Sequence, residues 1–183
     1  MLRPFARTVR FVLRRAVLFL VNILAVPPGM APIHALRCSL MHIIGSKLGR
    51  GTELSEHLYV HDGRNFRTGA RCKIGSFCRI WDFTLITIGD DLLASHGLTL
   101  ISATHLMDIE RTSRPGPITI GNNVWIGINV TIVGPATVGD NVIIGANSLV
   151  LGILESNGVF AGSPAKLIRK IDTTMQSDLL DER

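Results

Sequence analysis

The stretch "ITIGNNVWIGINVTIVGPATVGDNVIIGANSLVLG", Ile118 to Gly152, repeats one pattern every six residues. Large aliphatic residues stand at Ile120, Ile126, Ile132, Val138, Ile144 and Val150, and glycine follows at 121, 127, 139 and 145. Four places after each aliphatic residue comes a smaller one: Val124, Val130, Ala136, Val142 and Ser148. A period of six is neither the 3.6 of a helix nor the alternation of a single strand. It is the beat of a short strand, a turn and another short strand. Three such units close a triangular coil, and coils stack into a parallel β-helix. The large residue points inward, the smaller one fits the narrowing corner, and Gly and Asn supply the positive φ that corners need.

The beat continues upstream with slips. Leu48, Leu54, Val60 and Phe66 share one register, Ile74 and Ile80 the next, and Ile88, Ala94 and Leu100 a third. The whole amounts to about fifteen units, or roughly five coils. The two-residue slips predict wider corners. The gap from Leu100 to Ile120 is too long for one unit and predicts an extruded loop over 106–117. The expected organisation is an all-β chain: an N-terminal helical segment over 1–44, the β-helix over 45–165, and a tail or helix over 166–183.

At 183 residues one domain is the default. Aromatic residues make up only 5% of the chain, so the core is aliphatic. A prism of this kind exposes flanks and ends that a symmetric oligomer covers. Arg3, Arg7, Arg10, Arg14 and Arg15 account for the entire net charge of +5, because the remaining 14 Lys and Arg balance 14 Asp and Glu. A basic nucleic-acid face on the β-helix is thereby disfavoured. The basic and apolar N-terminus has three readings: a helix packed in the oligomer, a helix lying on an anionic inner leaflet, or a cleaved signal. Its apolar run, Ala16 to Val26, is about half of what spans a bilayer. Residues Met30 to Ile44 predict a second short helix. Cys72 and Cys78 fall near small inward slots and read as buried hydrophobes. Three cysteines form no complete disulfide set, which fits a reducing cytoplasm.

Chemistry is expected where the rhythm fails. The largest failure is "LISATHLMDIERTSRPGPITIG". There Thr104 takes the small inward slot, and His105 stands at a corner beside the loop. A histidine on rigid backbone yet open to water suits a general base. His96, two places after Ala94, is placed to line the same cleft. Asp82 in "RIWD" and Asp108 in the loop are candidates for orienting the imidazole or binding a substrate hydroxyl. Each of these residues also has a plain surface reading. His57 and His61 read as surface residues. A zinc site needs three histidines at spacings this chain lacks, so no metal is expected.

"ITIGNNVWIG", the histidine of "SATH" before a loop, and the ending "VFAGSPAKLIRKI" together resemble the hexapeptide-repeat O-acetyltransferases. The likeness covers about residues 45–172, with the maltose/galactoside and colanic-acid-type polysaccharide enzymes the most similar. It implies a left-handed β-helix, a trimer, and acetyl-CoA bound in the groove between neighbouring prisms, facing His105. It further implies coil backbone near Gly127 and Ala146 against the pantetheine arm. Lys166 and Arg169 would reach the nucleotide phosphates, Ser163 and Pro164 would shape that turn, and Trp125 would pack near the cleft. Leu151-Gly152 replaces the Thr-Lys common in the sugar enzymes, and the loop after His105 is shorter than in the galactoside enzymes. The Arg-rich start and the "RIWD" coil favour a sugar acceptor in surface-polysaccharide assembly. The expected location is cytoplasmic, at the inner face of the plasma membrane if the N-terminal segment touches lipid. A streptogramin-type xenobiotic or a serine is the competing acceptor, and a non-catalytic scaffold the reading from another class.

Overall fold

Each hexapeptide unit presents two backbone edges, and in the middle coils both are paired. The computed structural model describes residues 2–23, 31–105 and 109–172. Strands Glu53–Leu54, Lys73–Ile74, Leu93–Ala94, Trp125–Ile126, Val142–Ile144 and Gly158–Ala161 stack in parallel as one face of a triangular prism. Tyr59–Val60, Arg79–Trp81 and Thr99–Ile101 begin a second face, and Phe66–Thr68, Ile86–Ile88 and Ile118–Ile120 a third. The long strands Thr131–Val138 and Leu149–Leu154 run across the edge between the second and third faces. About five coils result. Inside them Leu54, Ile74, Ile80, Leu100, Ile126, Ile132, Ile144 and Val150 are buried one above another. Cys72 and Cys78 are buried in these ladders, where burial pushes the Cys78 thiol up to about 11. A thiol that stays protonated is a packing group.

The coils differ in length. Stacked residues are 20 apart in the early coils (Asp62 and Asp82), 32 across the interrupted coil (Asp90 and Asn122), then 18 (Asn122 and Asp140) and 16 (Asp140 and Ser156). The slips in the sequence are thus real wider corners, and both lie between the second and third faces. There Thr68, not Phe66, stands in register with Ile88, while Phe66 pairs with Ile86. Both inward residues are buried, so the aliphatic pattern alone left this register ambiguous.

The sharp corner between the third and first faces is built by asparagine. Asn123, Asn141 and Asn157 hold positive φ, and their side-chain amides bond from coil to coil at 2.9 Å. A short polar side chain tolerates the left-handed region better than most.

Two helices precede the prism, α1 (Leu2–Ile23) and α2 (Ala31–Ile44). Val17, Leu18 and Val21 of α1 and Met41 and Ile44 of α2 are buried in the same core as the first coils. Arg14 donates to Asp62 at 3.0 Å, and Asp62 also accepts from Arg64 at 2.7 Å. At the other end Lys166–Lys170 turns back antiparallel onto Gly158–Ala161.

Truncating a ladder residue leaves a void between rigid coils. Ile132→Ala is expected to cost about 2–5 kcal/mol, read as a fall in the denaturation midpoint. The Arg64 bond, aided by Arg14, holds the Asp62 carboxyl below its ordinary value. Such a group stabilises the fold above the unfolded carboxylate pKa of about 3.9, and the contribution is lost as pH falls through the lower folded value. Pairs this open to water contribute at most about 1 kcal/mol. The Tm gap between wild type and Asp62→Asn should therefore be small at neutral pH and close in acid. At neutral pH the variant should also speed tryptic cleavage after Arg14.

Candidate active site

The edge between the first and second faces carries a column of residues one per coil. Backbone bonds Gly97 N–H to Ser76 O, Asn129 N–H to His96 O, and Asn147 N–H to Ile128 O stack Ser76, His96, Ile128 and Ala146. A Cβ on Gly127 would lie 2.7 Å from the Ala146 nitrogen, so only glycine allows the two coils to meet here. Trp125 lies on the adjoining face between Leu93 and Ile143, and half its surface is exposed. Ser163 ends the column in an exposed turn. Lys166 and Arg169 project from the exposed final strand, and neither forms an ion pair among the described residues. Gly127, Ala146, His96 and Trp125 are thus brought to one edge, with the two cations beyond its C-terminal end.

His105 stands on a different edge. The coil leaves the prism after Ser102, whose hydroxyl is buried against Thr84 and Trp81. Ala103–His105 then pairs antiparallel with Ser113–Pro115. Thr104 is accordingly part of this hairpin and not an inward residue; Ser102 is the last one. The His105 ring is exposed, and its Nδ1 lies 2.6 Å from the carbonyl of Arg111. A carbonyl only accepts, so Nδ1 carries the proton and Nε2 keeps its lone pair. Arg111 holds a φ of 49°, a conformation uncommon for a residue with a Cβ. The residue that orients the histidine was missed in the sequence because it acts through its backbone.

The candidate acids sit elsewhere. Asp82 is fully buried, and its carboxylate accepts three backbone N–H groups, from Asp62 and Gly63 at 2.8 Å and Asn65 at 3.1 Å. It fills the wider corner of the coil below rather than a cleft, and no bond joins it to His105. Burial raises its carboxyl above the ordinary value against the pull of those donors. Asp108 lies outside the described residues. His57 stacks on Phe77 at 4.7 Å, and His61 packs against Trp81 and Phe83. Among the described residues no three His, Cys, Asp or Glu side chains are placed to hold a metal ion.

His96 has the opposite tautomer to His105. The Ser76 backbone N–H donates to its Nδ1 at 3.2 Å, which leaves Nε2 as the protonated, outward nitrogen. It borders a cleft of about 410 Å³ on the first face with Glu53, Glu56, Lys73 and Ser76. The Ser76 hydroxyl hydrogen-bonds Glu56 and holds that carboxyl below its ordinary value. Nothing in the six-residue period marked Glu56 or Ser76: Glu56 is a partly exposed residue off the inward register, and Ser76 is buried at the corner only by its neighbours in the fold.

These features meet known proteins at family level. Residues 117–152 match the family described as bacterial transferase hexapeptide (six repeats). Galactoside O-acetyltransferase of Escherichia coli (strain K12) is 40% identical over 117 residues, 62% of this chain and 55% of that protein. The chain thus spans about half the length of that curated relative. A structure of galactoside acetyltransferase in complex with coenzyme A superposes with a TM-score of 0.79 at 30% identity, covering 91% of this chain and 83% of that one. A maltose O-acetyltransferase from Clostridium difficile 630 gives a TM-score of 0.71 at 26% identity over 87% of this chain and 84% of that one. The chain belongs to the hexapeptide-repeat acetyltransferases. Its prism is accordingly their left-handed β-helix.

The two histidines offer a direct check. Imidazole 15N shifts at neutral pH should show His105 protonated on Nδ1 and His96 protonated on Nε2. The same tautomer at both would refute the bonding described.

Proposed function

We propose that the protein transfers an acetyl group from acetyl-CoA to a hydroxyl of a sugar in surface-polysaccharide assembly. The observation that carries the reading is the bond from His105 Nδ1 to the Arg111 carbonyl. It fixes the ring and leaves Nε2 basic at an exposed position. His105 Nε2 takes the proton of the attacking hydroxyl as its oxygen adds to the thioester carbonyl carbon. The tetrahedral centre then collapses, the C–S bond breaks, and the proton passes from the imidazolium to the departing sulfur. The histidine ends as it began, and no acyl-enzyme is formed.

His105 and the Gly127–Ala146 column occupy different edges of one prism. A neighbouring copy that sets its column against this hairpin completes the site, which supports a homotrimer. The side-chain-free junction at Gly127 suits a narrow pantetheine arm, and Lys166 and Arg169 suit phosphates beyond it. His96 Nε2–H is a donor on the same edge, fit to bond a carbonyl or hydroxyl oxygen. Asp82 serves the scaffold.

His105→Ala should lower kcat by about 10²–10⁴ with Tm unchanged. Lys166→Ala with Arg169→Ala should instead raise KM for acetyl-CoA and leave kcat near wild type. Acetyl-CoA consumption with a panel of sugars, serine and a streptogramin tests both variants and the acceptor class. Normal turnover in folded His105→Ala would end the assignment.

A further inference from the structure

The first helix shows an apolar face that nothing among the described residues covers. Its rotation is fixed: Val17, Leu18 and Val21 point into the core, and Arg14 is tied to Asp62. Arg15 is held as well, by a bond to the His61 carbonyl and by its position 5.4 Å over the Phe11 ring. Val9, Val12 and Leu13 are therefore left outward with Phe19 and Leu20, and Phe19 is 64% exposed. The patch continues onto α2, where Ile43 is 67% exposed and shares a shallow groove with Leu13 and Val17. An apolar surface of this kind marks a contact with something.

The charge selects the occupant. No acidic residue precedes Glu53, whereas eight Lys and Arg do. Among the described residues no helix is long and apolar enough to cross a membrane. A helix with one apolar flank and many arginines lies in the interface of an anionic bilayer, its apolar side among the acyl chains. Covering the face with α1 of a second copy would instead bring two acid-free, Arg-rich segments together. We propose that α1, with Ile43 of α2, docks the protein on an anionic lipid surface. The proposal rests on no catalytic reading.

The test is co-sedimentation of the full chain with vesicles of phosphatidylcholine alone or mixed with phosphatidylglycerol, with assembly mass measured by analytical ultracentrifugation. Binding is expected only to the mixed vesicles and to weaken with salt. Arg3→Gln, Arg7→Gln and Arg10→Gln together should weaken it about a hundredfold, at about fivefold per charge. Val12→Ser with Phe19→Ser alters only exposed positions, and should weaken binding at least about tenfold at unchanged mass. Three results would overturn the proposal: no binding to mixed vesicles at low salt, undiminished binding by the Val12/Phe19 variant, or a fall in its assembly mass. The last would mean that a second copy covers the face.

Discussion

Parallel coil-on-coil hydrogen bonding is the constraint on which the structure depends. A residue's N–H reaches the carbonyl of the neighbouring coil, as Gly127 reaches Ile144 and Lys73 reaches Leu92 at 2.7–2.8 Å. Adjacent strands in a sheet lie about 4.8 Å apart. Side chains at equivalent positions are held at that interval, and any mismatch in size or charge is felt by the copy above and below. The aliphatic ladders, the asparagine ladder and the Ser76–His96–Ile128–Ala146 column all follow from it. The site is a by-product of the same stacking. A rigid column presents backbone and one imidazole donor, and a hairpin that leaves the stack presents the other imidazole.

The period of six in 118–152 made the prism readable because inward residues recur without exception there. Corner asparagines followed from their tolerance of positive φ. Upstream, the wider corners were visible as slips, but their place was not. Phe66 and Thr68 are both inward, so hydrophobicity could not choose between them. His105 stood out because it ends the rhythm. Its partner, the Arg111 carbonyl, belongs to the main chain, and no residue type advertises a carbonyl. Asp82 was readable as a polar residue where the beat slips, yet its three N–H donors come from a coil 20 residues away. That is a tertiary fact. A buried carboxylate so used specifies a corner.

The N-terminal helices show how one segment can serve core and surface at once. Val17, Leu18 and Val21 add apolar area to the first coils, which otherwise end in an open cross-section. Their opposite faces stay exposed among the described residues, at Val12, Phe19 and Leu20 of α1 and Ile43 of α2.

The strand Lys166–Lys170 runs against the grain of every coil before it. A parallel stack ends in a row of unsatisfied N–H and C=O groups that invites another strand to continue it. An antiparallel segment there, with all its side chains in solvent, presents the wrong polarity and a row of cations to any incoming coil. On that one face the last strand therefore greets an approaching coil with a reversed chain direction and with Lys166, Arg169 and Lys170, both of which disfavour continuation of the parallel ladder there.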